Sequence, residues 1–323
     1  MKTRPLGKTG MQVSEIGLGA WAMGGAMWGG ARDGESQEAL ARAHHLGVNL
    51  IDTALVYGNG HSERLVGTFL RAHRAGKDLF VATKVPGKAM QWPARPDAKL
   101  ADFYPAGWIT ECCETSLRNL GVDRIDLLQL HVWADAWADD DGWYEELVRL
   151  RDAGKIRAIG LSLNSHDGQS GVRVVESGRI DAVQVVYNIF DQSPEDTLFP
   201  ACQKHQVGIL ARVPFDESSL TGKLRTDTEF PAGDFRRQYF GGDLLAQTVR
   251  RVEALRPTVE AGAASLARGA LRFCLSHPAV STVIPGIRSM RQADENCAAS
   301  DDGPLPATVL DALRPHRWVR DAY

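Results

Sequence analysis

The stretch Leu79-Phe80-Val81-Ala82-Thr83-Lys84 is a short apolar run without polar alternation, and it ends on a lysine. A strand with one wet face alternates apolar and polar residues. A strand covered on both faces does not, so this run reads as one member of a parallel sheet packed between helices. Working outward, similar runs recur. Ile16–Gly19 and Val48–Thr53 precede it; Ile125–His131, Ile156–Ser162, Ala182–Asn188, Gly208–Val213 and Thr282–Pro285 follow. Helical patterns lie between them: Ser36–Leu46, Ser62–Ala72, Trp108–Leu120, Trp143–Ala153, Gly171–Ser177, Glu195–His205, Ser265–His277 and Ser289–Ala299. Gly47, Gly121 and Gly154 stand where helix C-caps are expected. Eight strand–helix units predict a closed (β/α)8 TIM barrel, one domain over residues 1–323, in preference to an open doubly wound sheet. Arg4–Val13, with Gly7-Lys8-Thr9-Gly10 between apolar flanks, predicts an N-terminal β-hairpin plugging one end.

Three stretches break the rhythm on the C-terminal face, where barrel enzymes bind substrate. Val85–Pro105 carries four prolines and cannot be one regular helix. Pro214–Gly242 follows the seventh strand, with an extra helix expected over Asp243–Leu255. Val132–Asp141 sets Trp133 and Trp137 ahead of an acidic run. The tail from Pro304 has a helical middle, ends in Trp318 and Tyr323, and is expected to fold back over the barrel.

The 323-residue chain carries a formal charge of -3, with no Lys/Arg block of the kind that marks a nucleic-acid footprint. Neither a signal-peptide pattern nor an apolar run of membrane-spanning length is present. Five cysteines, an odd count in a long chain, argue for free thiols in a reducing compartment, hence a cytoplasmic protein. His44 and His45 are adjacent, not four apart, and no metal site is expected. Gly17-x-Gly19-x-x-Ala22 fits a dinucleotide fingerprint as a string, but further glycines follow where a helix would have to open.

Four polar residues stand at or just past the ends of predicted strands: Asp52, Tyr57, Lys84 and His131. A buried carboxylate needs a partner, and neighbouring barrel strands can bring Asp52 to Lys84. Alone, these two also admit the reading of a structural ion pair. Tyr57 lies in the turn Tyr57-Gly58-Asn59-Gly60, which can aim a phenol across the barrel mouth. A phenol titrates near 10, and a close ammonium lowers that value and makes it a better proton donor. His131 can donate a hydrogen bond to a carbonyl oxygen beside it. Together the four make a proton-delivery site.

Ile51-Asp52-Thr53-Ala54-Leu55-Val56-Tyr57-Gly58-Asn59-Gly60-His61-Ser62-Glu63 resembles the first signature of the aldo-keto reductases. Ala82-Thr83-Lys84, Asp126–His131, Gly160-Leu161-Ser162-Leu163-Asn164, Gln184, Ile284–Ser289 and Asp294-Glu295-Asn296 resemble later elements, in family order. The resemblance implies a (β/α)8 barrel that reduces aldehydes and ketones, with NADPH preferred and NAD possible. Tyr57 would be the general acid, Lys84 its pKa partner, Asp52 the anchor of Lys84, and His131 the carbonyl-orienting donor. Two alternatives stand beside it: a dehydrogenase oxidising a sugar or secondary alcohol, and a nucleotide-binding auxiliary subunit with little turnover.

By the same resemblance Ser162, Asn164 and Gln184 hold the nicotinamide carboxamide, though Ser162 and Asn164 also suit a helix cap. Arg212 stands where many relatives carry a stacking aromatic residue; it can stack in turn, or pair with Asp216 or Glu217. Arg288, ahead of a predicted helix, matches the adenosine 2'-phosphate region and favours NADP. Gln292 and Asn296 look like adenine-side contacts on one helix face, which is also what an ordinary solvated face looks like. Gly286 departs from relatives with a lysine there, which loosens the cofactor preference. Lys223 either reaches the pyrophosphate or is a surface lysine. Trp21, Trp28, Trp92, Trp133 and Trp137 fall in strand-end loops and are read as walls of an apolar pocket for a small carbonyl or alcohol substrate. Trp92 serves equally to pack the Pro-rich loop.

Overall fold

Two hydrophobic shells organise the molecule, one inside a ring of parallel strands and one outside it. The computed structural model describes residues 1–323 apart from 26, 29, 31, 76, 77, 164–166 and 319–323. An antiparallel hairpin of β1 (Thr3–Pro5) and β2 (Gln12–Ser14) comes first. The barrel strands are β3 (Leu18–Gly19), β4 (Leu50–Asp52), β5 (Phe80–Val85), β6 (Ile125–Leu130), β7 (Ile156–Ser162), β8 (Ala182–Val186), β9 (Gly208–Arg212) and β10 (Thr282–Val283). They pair in parallel in sequence order, and the bridges Ile16↔Val283 and Gly19↔Gly286 close β3 onto β10. This is the (β/α)8 barrel with an N-terminal hairpin that the sequence predicts.

Consecutive side chains on each strand point to opposite faces. Val81, Leu128, Ile159, Val183 and Ile209 point outward into the layer shared with the helices. Leu50, Ala82, Leu127, Ala158, Ala182 and Leu210 point inward and join Leu6, Met11 and Val13 of the hairpin region. Both faces are therefore apolar, which is why the strands read as unbroken runs. The hairpin's three side chains are fully buried and fill the N-terminal end of the barrel, each contributing about 1.5–3 kcal/mol by burial. Arg4 ties that end down, pairing with Glu15 and donating to the carbonyls of Leu275 and Val280.

The helix over Trp108–Leu120 has the bounds the sequence predicts, and the others agree to within a few residues. Residues 214–242 form an irregular crossing with a short turn of helix at Arg236–Tyr239, and the extra helix that follows, Leu244–Glu260, is longer than expected. The tail helix is Ala307–Leu313; beyond it the Trp318 amide donates to the Phe190 carbonyl, and Arg251 stacks over the indole. Tyr323 lies outside the described residues. No helix among the described residues is long and apolar enough to cross a membrane.

Candidate active site

One pleat repeat beyond the inward apolar positions, the barrel interior turns polar. Leu50, Ala82, Leu127, Ala182 and Leu210 are followed two residues later by Asp52, Lys84, Gln129, Gln184 and Arg212. Parallel register sets these side by side: Asp52 beside Ala82, Lys84 beside Gln129, and Ser162 beside Gln184. The polar layer is thus a ring at the C-terminal end of the same cylinder.

Lys84 is fully buried, and its Nζ donates to Asp52 Oδ2 at 2.6 Å and to the Thr53 carbonyl at 2.9 Å. The same nitrogen stands 3.4 Å from Tyr57 Oη. The phenol gets there because residues 58–60 run through left-handed backbone: Gly58 at φ 61°, Asn59 at 52° and Gly60 at 78°. A side chain at Gly58 would also meet the Gly24 carbonyl at 2.3 Å, so the loop after β3 packs directly on this turn. Thr53 donates to Ser62 Oγ, which donates to the Ala20 carbonyl, and this buried chain links the turn to the strands around it. The His131 ring lies 5.8 Å from the Tyr57 ring, edge to face, and 5.1 Å from Trp92.

Burial pushes the Tyr57 phenol above its usual value of 10; the Lys84 ammonium pulls the other way and does not offset it. The sequence reading weighs only the ammonium, so the desolvation of the phenol corrects it. In the protein by itself Tyr57 holds its proton through neutral pH. Burial alone would also lower Lys84, but Asp52 and Tyr57 outweigh it and hold the ammonium above its ordinary range. Burial, reinforced by Lys84 and Arg212, keeps His131 well below 6.5, so the imidazole is neutral at pH 7. A neutral imidazole still carries one N–H donor.

These groups open into a cavity of about 760 Å³, within the range of small-molecule sites. Ser162, Gln184, Arg212, Lys223, Gly286, Arg288, Gln292 and Asn296 all line it, as do Trp21, Trp28 and Trp92. Asn164 lies outside the described residues. Trp133 does not reach the cavity. It is fully buried, bonds Asp135 through its indole N–H, and packs edge-on against Trp137 and Trp143. Trp137 is buried in the same cluster. The acidic run after Trp133 folds into the turn Asp135–Asp139, and both indoles are buried in the core and do not line the cavity.

Several predicted contacts are already engaged. The Gln184 amide donates to Asp52 Oδ1 at 2.8 Å, and Arg212 donates to the Leu163 carbonyl and lies over the Trp92 ring. Arg288 Nη1 donates to the Trp28 carbonyl, while Gln292 Oε1 accepts from the Arg288 amide at the helix start. Ser162 Oγ and Asn296 Nδ2 are buried with no hydrogen-bond partner among the described residues. A buried polar atom left unpaired costs stability, and both belong to residues lining the cavity.

The family model for the aldo/keto reductase family matches residues 15–317. The chain belongs to that family. It is similar to aldo-keto reductase YhdN of Bacillus subtilis (strain 168), 34% identical over 236 residues that cover 73% of this chain and 69% of that one. It is 28% identical to the NADH-specific methylglyoxal reductase of Escherichia coli (strain K12), covering 97% of this chain and 99% of that one. In three dimensions it matches the glycerol dehydrogenase AKR11B4 from Gluconobacter oxydans with a TM-score of 0.78 at 29% identity, covering 98% and 94% of the two chains. As an aldo/keto reductase it is an oxidoreductase of carbonyl and alcohol groups.

Two parts of the site escape the sequence reading. Gln129 donates to Asp52 Oδ1 and belongs to the polar ring. The signal was present, since an amide inside Leu127-Leu128-Gln129-Leu130 must find a partner when buried. Phe235 and Arg236 cross the mouth from the 214–242 segment. Phe235 packs on Trp21 and Trp28, and Arg236, paired with Asp234, stacks over Trp28. No local pattern marks them, because their place depends on how an irregular segment crosses the barrel.

Proposed function

We propose that this chain reduces aldehydes or ketones to alcohols with NADPH, Tyr57 delivering the proton. The observation that carries the reading is the buried chain from Asp52 through Lys84 to Tyr57, ending in a cavity beside a neutral His131. Tyr57 and His131 together offer two donors to one carbonyl oxygen, where negative charge builds as the carbonyl is reduced. Asp52 keeps Lys84 charged, and Lys84 stabilises the phenolate left when Tyr57 gives up its proton. Trp21 and Trp92 flank the pair and form the apolar side of the substrate space.

A nicotinamide cofactor, when bound, supplies the hydride. The buried atoms of Ser162 and Asn296 that have no partner among the described residues fit such a ligand, which would supply each a polar partner. Ser162, Asn164 and Gln184 would hold its carboxamide, Arg212 and Lys223 its central part, and Gly286, Arg288, Gln292 and Asn296 its adenosine end. Arg288 at a helix start favours a 2'-phosphate, so NADP is preferred here although the Escherichia coli relative is named for NADH. Arg288→Ala should weaken NADPH about tenfold or more and NADH little, as read by fluorescence titration; equal losses would defeat the assignment.

Oxidation of a small polyol or secondary alcohol is the second reading, supported by the likeness to a glycerol dehydrogenase. Initial rates of NADPH consumption over small aldehydes, set against rates of NADP reduction over glycerol and simple sugars, separate the two directions. A cytoplasmic location suits five cysteines that are all unpaired and buried.

A further inference from the structure

Gln129 is fully buried and is not part of the cavity wall. Its register partners are Lys84 on one side and Gly160 on the other. A Cβ at Gly160 would come within 3.0 Å of Gln129 Cγ, so the glycine leaves the space that the amide occupies. Gln129 Nε2 donates to Asp52 Oδ1 at 3.3 Å, and Gln129 Oε1 accepts from Gln184 Nε2 at 3.3 Å. Gln184 Nε2 donates in turn to the same Asp52 oxygen at 2.8 Å.

The three side chains close a ring, and its polarity is determined. A carboxylate only accepts, so both amide nitrogens must face Asp52. Gln184 then spends both of its N–H groups, one on Asp52 and one on Gln129. Its Oε1 is the end left for the cavity. Asp52 is likewise shared: Oδ2 holds Lys84, and Oδ1 is held by the two amides.

We propose that Gln129 is a positioning residue that fixes the Asp52 carboxylate and the Gln184 carboxamide together. One buried amide thereby sets both the support of the proton donor and the acceptor that the nucleotide meets. The proposal rests on the reading of Asp52, Lys84 and Tyr57 as the proton-delivery group. Without Gln129 the Gln184 amide keeps only its bond to Asp52 and loses its second anchor, and Asp52 Oδ1 keeps one amide donor in place of two, so both groups are held less firmly. Lys84 sits among Asp52, Tyr57, His131 and Arg212. Of the two groups that hold its ammonium charged, Asp52 acts more strongly than Tyr57, so a looser carboxylate makes the ammonium easier to deprotonate.

The test is Gln129→Met, close in shape but without the amide, in the wild-type background and in a Gln184→Met background. NADPH affinity is read by fluorescence titration, which needs no turnover, and the pH profile of kcat/KM is read alongside. The expected result is an NADPH dissociation constant raised about tenfold in the single variant, with the alkaline limb of the profile moved to lower pH. In the Gln184→Met background the added effect on affinity should fall below twofold, because the route through Gln184 is already gone. A merely structural Gln129 would lower Tm in both backgrounds and leave the pH limb in place. Single-variant affinity within twofold of wild type, or effects on affinity that add across the two backgrounds, would overturn the proposal. Should the Met variant fail to fold, Gln129→Asn draws the amide back by one methylene and is read by the same two criteria. If wild-type protein binds NADPH yet turns over no carbonyl or alcohol, the proposed function fails while the affinity cycle still decides the role of Gln129.

Discussion

The two ends of the barrel are built from the same strands and spend them differently. At the N-terminal end Leu6, Met11 and Val13 seal the cylinder with side chains that have no polar atoms to satisfy. Two residues beyond the inward-facing Leu50, Ala82, Leu127, Ala182 and Leu210 the interior holds an ion pair, two amides and a guanidinium, and the buried Ser162 Oγ and Asn296 Nδ2 have no partner among the described residues. The segment leaving β9 adds backbone strain, with Val213, Asp216, Glu217 and Ser218 all at positive φ. For a β-branched residue such as Val213 that conformation is rare. One end is sealed by apolar side chains; the other gathers polar groups around the cavity.

Four experiments sharpen or break this division. Tyr57→Phe should have the largest effect: carbonyl reduction falls by about 10²–10⁴-fold, while nucleotide affinity stays within twofold and Tm does not fall. Retained turnover would remove the chemistry from this end altogether. Leu6→Ala is its counterpart at the sealed end and should cost about 2–5 kcal/mol of stability, measured by urea unfolding, with kcat/KM unchanged while the protein is folded. A large loss of turnover in the folded variant would show that the ends are not separable.

Acid should weaken the functional end by a smaller amount. The folded protein resists protonating His131 far below 6.5, whereas the unfolded chain takes up that proton near 6.5. The unfolded state therefore binds more protons as the pH drops, and this contribution, complete above about pH 6.5, is lost below it. Urea midpoints at pH 7.5 and 5.5 should differ less in His131→Gln than in wild type. Ser162→Ala is the mildest case. It should weaken nucleotide binding several-fold, in line with about 1 kcal/mol per hydrogen bond, and leave the free protein no less stable. A fall in Tm would mean that the hydroxyl is satisfied without ligand.

Much of this was legible in the chain. Ile156–Ser162 and Trp108–Leu120 could be bounded from pattern alone, because a doubly covered strand and a glycine-stopped amphipathic helix leave strong local signals. Asp52, Lys84, Tyr57 and His131 stand out as polar residues at the ends of apolar runs, and the structure brings them together. Trp133 shows the opposite case. An indole in a strand-end loop suits a pocket wall and a core equally well, and only the turn at Asp135–Asp139 decides between them. The direction in which the Tyr57 phenol shifts is not legible, because charge partners are visible in sequence while the degree of desolvation is not. Gln129 stands out only when the two-residue repeat is followed inside the barrel, two residues beyond the inward-facing Leu127.

The seam of the cylinder joins Ile16 to Val283 and Gly19 to Gly286, and Arg4 reaches across to the carbonyls of Leu275 and Val280. The first strand thus waits for the last. During synthesis the ring cannot be completed until the segment through Gly286 has left the ribosome, and the long loop closed by that final pairing makes it a slow, late event. Until then, the edges of β3 and of the growing sheet are open to pairing with other chains.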